Sequence, residues 1–205
     1  MKGSEKDMNL EKAANNLKRA GFSVQIFDTG AEAADWLNQQ VNDKTVGIGG
    51  SATVKALGLY DLLRTHNTVY WHWEQDQDEA RSNAMKTDVY LCSANALAET
   101  GEIVNIDGKG NRVAATLFGH KKVYFLIGQN KLTETYEDAV WRARNIAAPK
   151  RAAQFHVNTP CVANGAARCF NCKSPERVCR ALVTLWGPML GSEAEVLLIR
   201  EDLGL

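Results

Sequence analysis

The sequence predicts an α/β fold: a largely parallel sheet with an added β-hairpin portion and a cysteine-bearing C-terminal extension. Three observations carry this. Helix-type and strand-type apolar patterns alternate about five times before residue 98. One strand-type run, "TVGIGG" at 45–50, ends in glycines and leads straight into a helix cap. After residue 100 the rhythm shortens around the turn "DGKGN". After 148 the chain carries all four of its prolines and four of its five cysteines.

The elements follow in order. Residues 6–20 place Met8, Leu10, Ala13, Ala14 and Leu17 at helical spacing, and Gly21 ends the run. "FSVQIF" (22–27) is a β-branched and aromatic strand. "AEAADWLNQQV" (31–41) returns to helical spacing. Strand 45–50 follows, and Ser51 is placed to cap one or two helices in "ATVKALGLYDLLRTH". "TVYWHW" (68–73) is a strand that buries Trp71 and Trp73 on one face and turns His72 to the other. Residues 76–86 form a helix with an acidic first turn, and 87–97 hold a buried strand with Cys92 packed at its end. The stretch 101–119 predicts a hairpin around "DGKGN". "KKVYFLIG" (121–128) is a buried strand. Residues 133–149 predict a helix capped by Thr133 and stopped by Pro149. The runs 180–186 and 194–202 are closing strands. The whole chain, 1–205, is one domain, with 155–180 its cysteine-rich segment.

Composition narrows the function. Lys+Arg and Asp+Glu are equal at 24 each, so the formal net charge is zero. That gives no support to broad nucleic-acid or membrane-surface binding. No apolar run approaches a bilayer span, and the polar start lacks a signal-peptide core. The expected compartment is the cytoplasm, where clustered cysteines bind metal or do redox work more often than they form structural disulfides.

Two regions could meet a ligand. "VGIGGSATVKALG" (46–58) sets Gly47, Gly49, Gly50, Ser51 and Thr53 between a strand and a helix. Glycines admit close backbone approach and hydroxyls can donate, which suits phosphate or carboxylate. The run lacks the third glycine of a dinucleotide fingerprint and the Gly-Lys-Ser/Thr ending of a P-loop. The alternative is a tight βα turn whose glycines serve sterics only. Further on, Glu99-Thr100-Gly101 follows a buried run, and "GQNKL" (128–132) presents Asn130 and Lys131 after a strand. Histidine is scarce, so acid–base work would rest on Glu99, Glu102 or Lys131.

The cysteines are spaced C-x7-C-x2-C-x6-C: Cys161, Cys169, Cys172 and Cys179. The central C-x2-C pair suits one metal. Arg168, Lys173, Arg177 and Arg180 lie within or beside the segment and favour thiolates. Three readings stand: a bound zinc or [4Fe–4S] centre, reduced thiols in an ordered loop, or a redox-active Cys169–Cys172 disulfide.

Taken together, "GGSAT", "SANALAETGEIVNIDGKGNRVAA", "IGQNK", "EDAVWRARNIAAP" and "SPERVC" resemble the lactate-utilisation (LUD) domain family, in consistent order from about residue 10 to 180. The resemblance implies a Rossmann-like core related to ribose-5-phosphate isomerase and coenzyme A transferase-like proteins. It implies a place in L-lactate oxidation, with iron–sulfur proteins among the partners, and a homo-oligomer is compatible with it. It implies a ligand loop at Gly49, Gly50, Ser51, Ala52 and Thr53, with Thr100-Gly101 and Asn130-Lys131 matching further motifs. Its redox setting tilts the metal reading toward iron–sulfur. One position departs: Glu102 stands where a small hydroxyl residue is usual. Two other functions remain in view. One is a transferase- or isomerase-like enzyme with Glu99 as nucleophile or acid/base and Thr100 beside it. The other is a non-catalytic interaction subunit.

Overall fold

The computed structural model describes residues 9–205. In chain order it comprises α1 (Leu10–Arg19), β1 (Ser23–Phe27), α2 (Gly30–Gln40), β2 (Thr45–Ile48), α3 (Ala52–Ala56), α4 (Leu59–Leu63), β3 (Thr68–Trp71), α5 (Gln77–Ala84), β4 (Val89–Cys92), β5 (Ala96–Ala98), β6 (Ile103–Asp107), α6 (Asn111–Leu117), β7 (Lys122–Gly128), β8 (Leu132–Thr133), α7 (Tyr136–Arg142), α8 (Ala148–Gln154), α9 (Pro160–Ala163), β9 (Ala181–Leu185) and β10 (Glu193–Ile199). Residues 6–8 of the expected first helix, Met8 included, lie outside the described residues.

Six strands form a sheet in the order β1-β10-β7-β4-β2-β3, every pair parallel. A parallel sheet needs cover on both faces. Strand β7 shows why this one has it. Phe125 and Ile127 pack into one core with α1, while Tyr124 and Leu126 pack into another with α2 and α4. From β2 the chain goes outward to β3, then returns to lay β4 on the other side of β2. The strand order therefore reverses between β2 and β4. Open α/β sheets form their ligand crevice beyond the carboxyl ends at such a point.

The second sheet, β8-β5-β6-β9, is the added β portion. Its antiparallel β5–β6 pair is joined by 99–102, with Gly101 at φ +110 against the Asn16 backbone. The tight turn is thus "ETGE", not "DGKGN" as expected. The expected second arm of that hairpin is helix α6. The Asp107 side chain accepts from Gly108, Gly110 and Val113 N–H, which turns the chain from strand into helix. Strand β6 meets β9 instead.

Two other expectations change. Thr135, not Thr133, caps α7 by accepting from Asp138 N at 3.1 Å. Thr133 sits in β8 and donates to Leu97 O. Pro149 does not stop the helix. A π-helical stretch over 143–147 links α7 to α8, and Pro149 falls in the first turn of α8. The cysteine segment does not end the fold: β9 completes the second sheet, and β10 enters the main one between β1 and β7.

Candidate functional site: a cationic cleft beside a thiol cluster

A cleft of about 700 Å³ opens at the carboxyl ends of the main strands. Four chain segments build it. Gly50, Ser51 and Ala52 follow β2, His72 and Trp73 follow β3, Ser93 and Asn95 follow β4, and Lys131 follows β7. These segments flank the point where the strand order reverses. The second sheet and the cysteine segment supply the facing wall, through Asp107–Lys109 and Glu176–Arg180.

The glycine loop divides its tasks. An added Cβ at Gly47 would lie 2.5 Å from Ala84 O, and one at Gly49 2.9 Å from the Tyr90 hydroxyl. Neither residue lines the cleft; both are glycine for sterics. At Gly50 a Cβ would meet only Trp73 and His72 side-chain atoms, at 3.5–3.7 Å. Gly50 therefore borders open space. Ser51 Oγ accepts from Val54 N, which makes it the expected cap. Thr53 donates to Leu203 O and accepts from Lys131 Nζ. The loop thus touches the cleft at 50–52, while Thr53 supports it from below.

Charge distinguishes this cleft within a neutral chain. Seven Lys or Arg side chains line it, against two Asp or Glu. Not all are free to bind. Arg112 donates to Ser93 O (3.0 Å), Ile106 O (2.7 Å), Asn95 Oδ1 (3.2 Å) and Asn105 Oδ1, and so ties the second sheet to the first. Arg81, Lys109 and Arg151 are differently placed. Arg81 donates to Asp78 Oδ1 (3.1 Å) and Gln77 Oε1 (2.9 Å), and its buried Nε has no hydrogen-bond partner. The Arg151 guanidinium lies 4.8 Å over the Trp73 ring and 4.3 Å over Phe155. The pKa of His72, buried at the cleft wall, is pushed down to about 4. Burial is the main cause; Arg81, Lys109 and Arg151 add to it, and Asp107 opposes. So His72 is neutral at pH 7, chiefly through burial, and the cations that add to the effect make a positive field that favours a bound anion.

Lys131 is 3% exposed. Its Nζ donates to Thr53 Oγ1 (2.7 Å) and Ser93 Oγ (2.8 Å). Asn130 lies outside the cleft: its Oδ1 accepts from Leu203 N, and its carbonyl from Arg142 Nε. Glu99 and Thr100 also lie away from the cleft lining. The Glu99 carboxylate accepts from Asn9 N (2.9 Å) and Lys12 Nζ (2.8 Å), and its carbonyl from Asn16 Nδ2 (2.7 Å). It anchors the start of α1. Thr100 donates to the carboxylate of Glu102 within the turn.

All four cysteines of the segment border one small cavity of about 20 Å³, whose wall at Arg177, Val178 and Cys179 is shared with the cleft. Donors reach the sulfurs: Thr159 Oγ1 lies 3.2 Å from Cys161 Sγ, Asn171 N donates to Cys169 Sγ at 3.3 Å, and Arg177 Nε to Cys179 Sγ at 3.2 Å. Among the described residues, no three His, Cys, Asp or Glu side chains are grouped to hold a metal ion. Cys92 is apart from this cluster, buried in the sheet, its thiol pushed up to about 12 by burial.

Sequence reading missed His72 as a cleft residue, together with Arg81, Lys109 and Arg151. "WHW" carried the signal for the first: after an outward strand, the residues just past its carboxyl end face the crevice. The arginines gave none, because helices α5 and α8 bring them in from distant positions.

Comparisons with known proteins agree on the fold and family. The family model of the LUD domain matches residues 10–199. The chain is similar to the crystal structure of a DUF162 family protein from Deinococcus radiodurans, with a TM-score of 0.55 and 14% identity over 93% of this chain and 95% of that one. At that identity the likeness shows the fold alone. No curated protein matches.

Proposed function

The chain belongs to the LUD domain family, and we propose that it serves L-lactate utilisation by binding an anionic metabolite or cofactor in the cationic cleft, beside a thiolate-bound metal centre. The observation that carries the anion site is the excess of cations around a buried neutral histidine at a strand-order reversal. A cleft of about 700 Å³ falls within the ~300–1,000 Å³ of small-molecule pockets. A three-carbon acid fills only part of it, so a larger cofactor fits the same cleft.

For the metal centre, the support is the donor set. Four thiols border one cavity, and backbone N–H, hydroxyl and guanidinium groups already reach three of the sulfurs. Cys161, Cys169, Cys172 and Cys179 would hold the group. Zinc would staple a segment that has little buried surface of its own; an iron–sulfur cluster would add an electron carrier next to the anion site. No three of these side chains are grouped to hold an ion among the described residues, so binding either group requires the thiols to draw together.

Two measurements test these halves separately. Thermal unfolding with L-lactate, pyruvate or inorganic phosphate tests the anion site: a ligand at about 100 times its Kd adds about 2.7 kcal/mol. No stabilisation by any of the three counts against it. Elemental analysis of anaerobically purified protein tests the metal half. One zinc, or iron with matching sulfide, per chain is expected, and Cys172→Ser should lower it. Protein free of both metals overturns that half and leaves the cleft untouched.

A further inference from the structure

We infer that Lys131 is a nucleophilic amine that condenses with the carbonyl group of an anionic carbonyl compound, of the 2-oxo carboxylate class, bound in the cleft. The inference rests on the reading of the cleft as an anion site and names a reactive group within it.

The argument begins with burial. An ammonium removed from water needs an acid partner, and its isolation costs several kcal/mol otherwise. Lys131 is 3% exposed, and no carboxylate pairs with it among the described residues. Its two hydrogen-bond partners are hydroxyls. Thr53 gives its own proton to Leu203 O, so it turns a lone pair toward Nζ. The third position on Nζ has no partner in the described chain. Nearby Arg112 and Arg142 add positive charge. Burial first, and then these two cations, push the amine's pKa down to about 7. Buried lysines of this kind exist as free amines near neutral pH and act as nucleophiles.

The surroundings suit the reaction. Lys131 lines the cleft floor and is joined through Thr53 to the run 50–53, whose other end reaches His72. Lys109 and Arg151 line the same cleft as partners for the substrate's carboxylate, and Arg81, paired with Asp78, adds positive charge beside them. The Nζ lone pair attacks the carbonyl carbon, and a C–N bond forms as the C–O π bond opens. Both amine protons pass to the oxygen, with Ser93 Oγ at 2.8 Å as relay. The C–O bond breaks, water leaves and an imine remains. Atoms and charge balance without an oxidant or reductant.

The test uses the intact protein with pyruvate as probe. Sodium borohydride, added at pH 7.5, reduces any imine to a stable secondary amine, which peptide mapping locates. One adduct at Lys131 is expected. Its yield should exceed that at the exposed Lys121 by at least about tenfold, since ordinary lysines are almost wholly protonated there. L-lactate, which has the carboxylate and no carbonyl, should suppress it. Lys131→Arg should lose the adduct. Calorimetry of L-lactate and pyruvate runs alongside. Binding without an adduct at Lys131, or labelling spread evenly over surface lysines, overturns the inference and leaves the anion site standing. Failure of both acids to bind, with no adduct, overturns the inference, and failure of inorganic phosphate as well overturns the anion site with it.

Discussion

Glu99 shows how the position of a turn decides what a side chain meets. A carboxylate after a buried run looks like an acid/base group at a strand end. Its placement depended on where the turn fell, and the turn is 99–102. There Glu99 receives α1 through Asn9 N and Lys12 Nζ. Glu99→Gln should therefore lower stability by about 1–3 kcal/mol, the worth of hydrogen bonds to a buried charge. Anion binding by calorimetry should be unchanged. Loss of binding at unchanged Tm would return Glu99 to the site.

His72 gives a pH prediction. Its folded pKa of about 4 lies below its ordinary value of 6.5. Between these values the unfolded chain takes up a proton that the folded chain refuses. Stability should fall as pH drops from 6.5 to about 4, and His72→Gln should flatten that slope in urea titrations. A bound anion offsets the neighbouring cations, so saturating phosphate should raise the His72 pKa seen by NMR. A slope that survives His72→Gln assigns it elsewhere.

Among the elements, the glycine loop was legible as a motif but not as a division of labour. Three residues apart, Gly47 and Gly50 look alike in sequence. Tertiary neighbours separate them: backbone and hydroxyl atoms crowd Gly47, and Gly50 faces only side chains at van der Waals distance. Gly47→Ala should cost about 1–3 kcal/mol by overpacking. Gly50→Leu should leave Tm nearly unchanged and fill the cleft. Equal effects of the two on Tm would refute this distinction. The same limit explains the other misreadings. Whether "NRVAATL" becomes strand or helix is decided by the Asp107 cap and by the β6–β9 pairing, both set at a distance. Pro149 looks like a stop unless the π-helical stretch before it is known.

For the molecule as a whole, the alternating apolar pattern was enough for the α/β class, because each strand of a parallel sheet is a separate local run. Two long-range facts were not written locally. The last strand, β10, belongs between β1 and β7, and the cysteine segment closes over the crevice and not beside a finished core. The two features that stood apart in sequence, the glycine loop and the cysteine segment, line one cleft, the second through Glu176–Arg180. Among the described residues no helix is long and apolar enough to cross a membrane. The positive field of the cleft is thus a local arrangement in a neutral chain, and binding should weaken with salt as exposed charges are screened.

The most direct test is calorimetric titration of L-lactate, pyruvate and inorganic phosphate into the wild-type protein and Gly50→Leu. At least one anion should bind the wild type, with affinity falling at least about tenfold, or about 1.4 kcal/mol, in the variant at unchanged Tm. Absence of binding for all three, or equal affinity for both proteins, would contradict the cleft as the anion site.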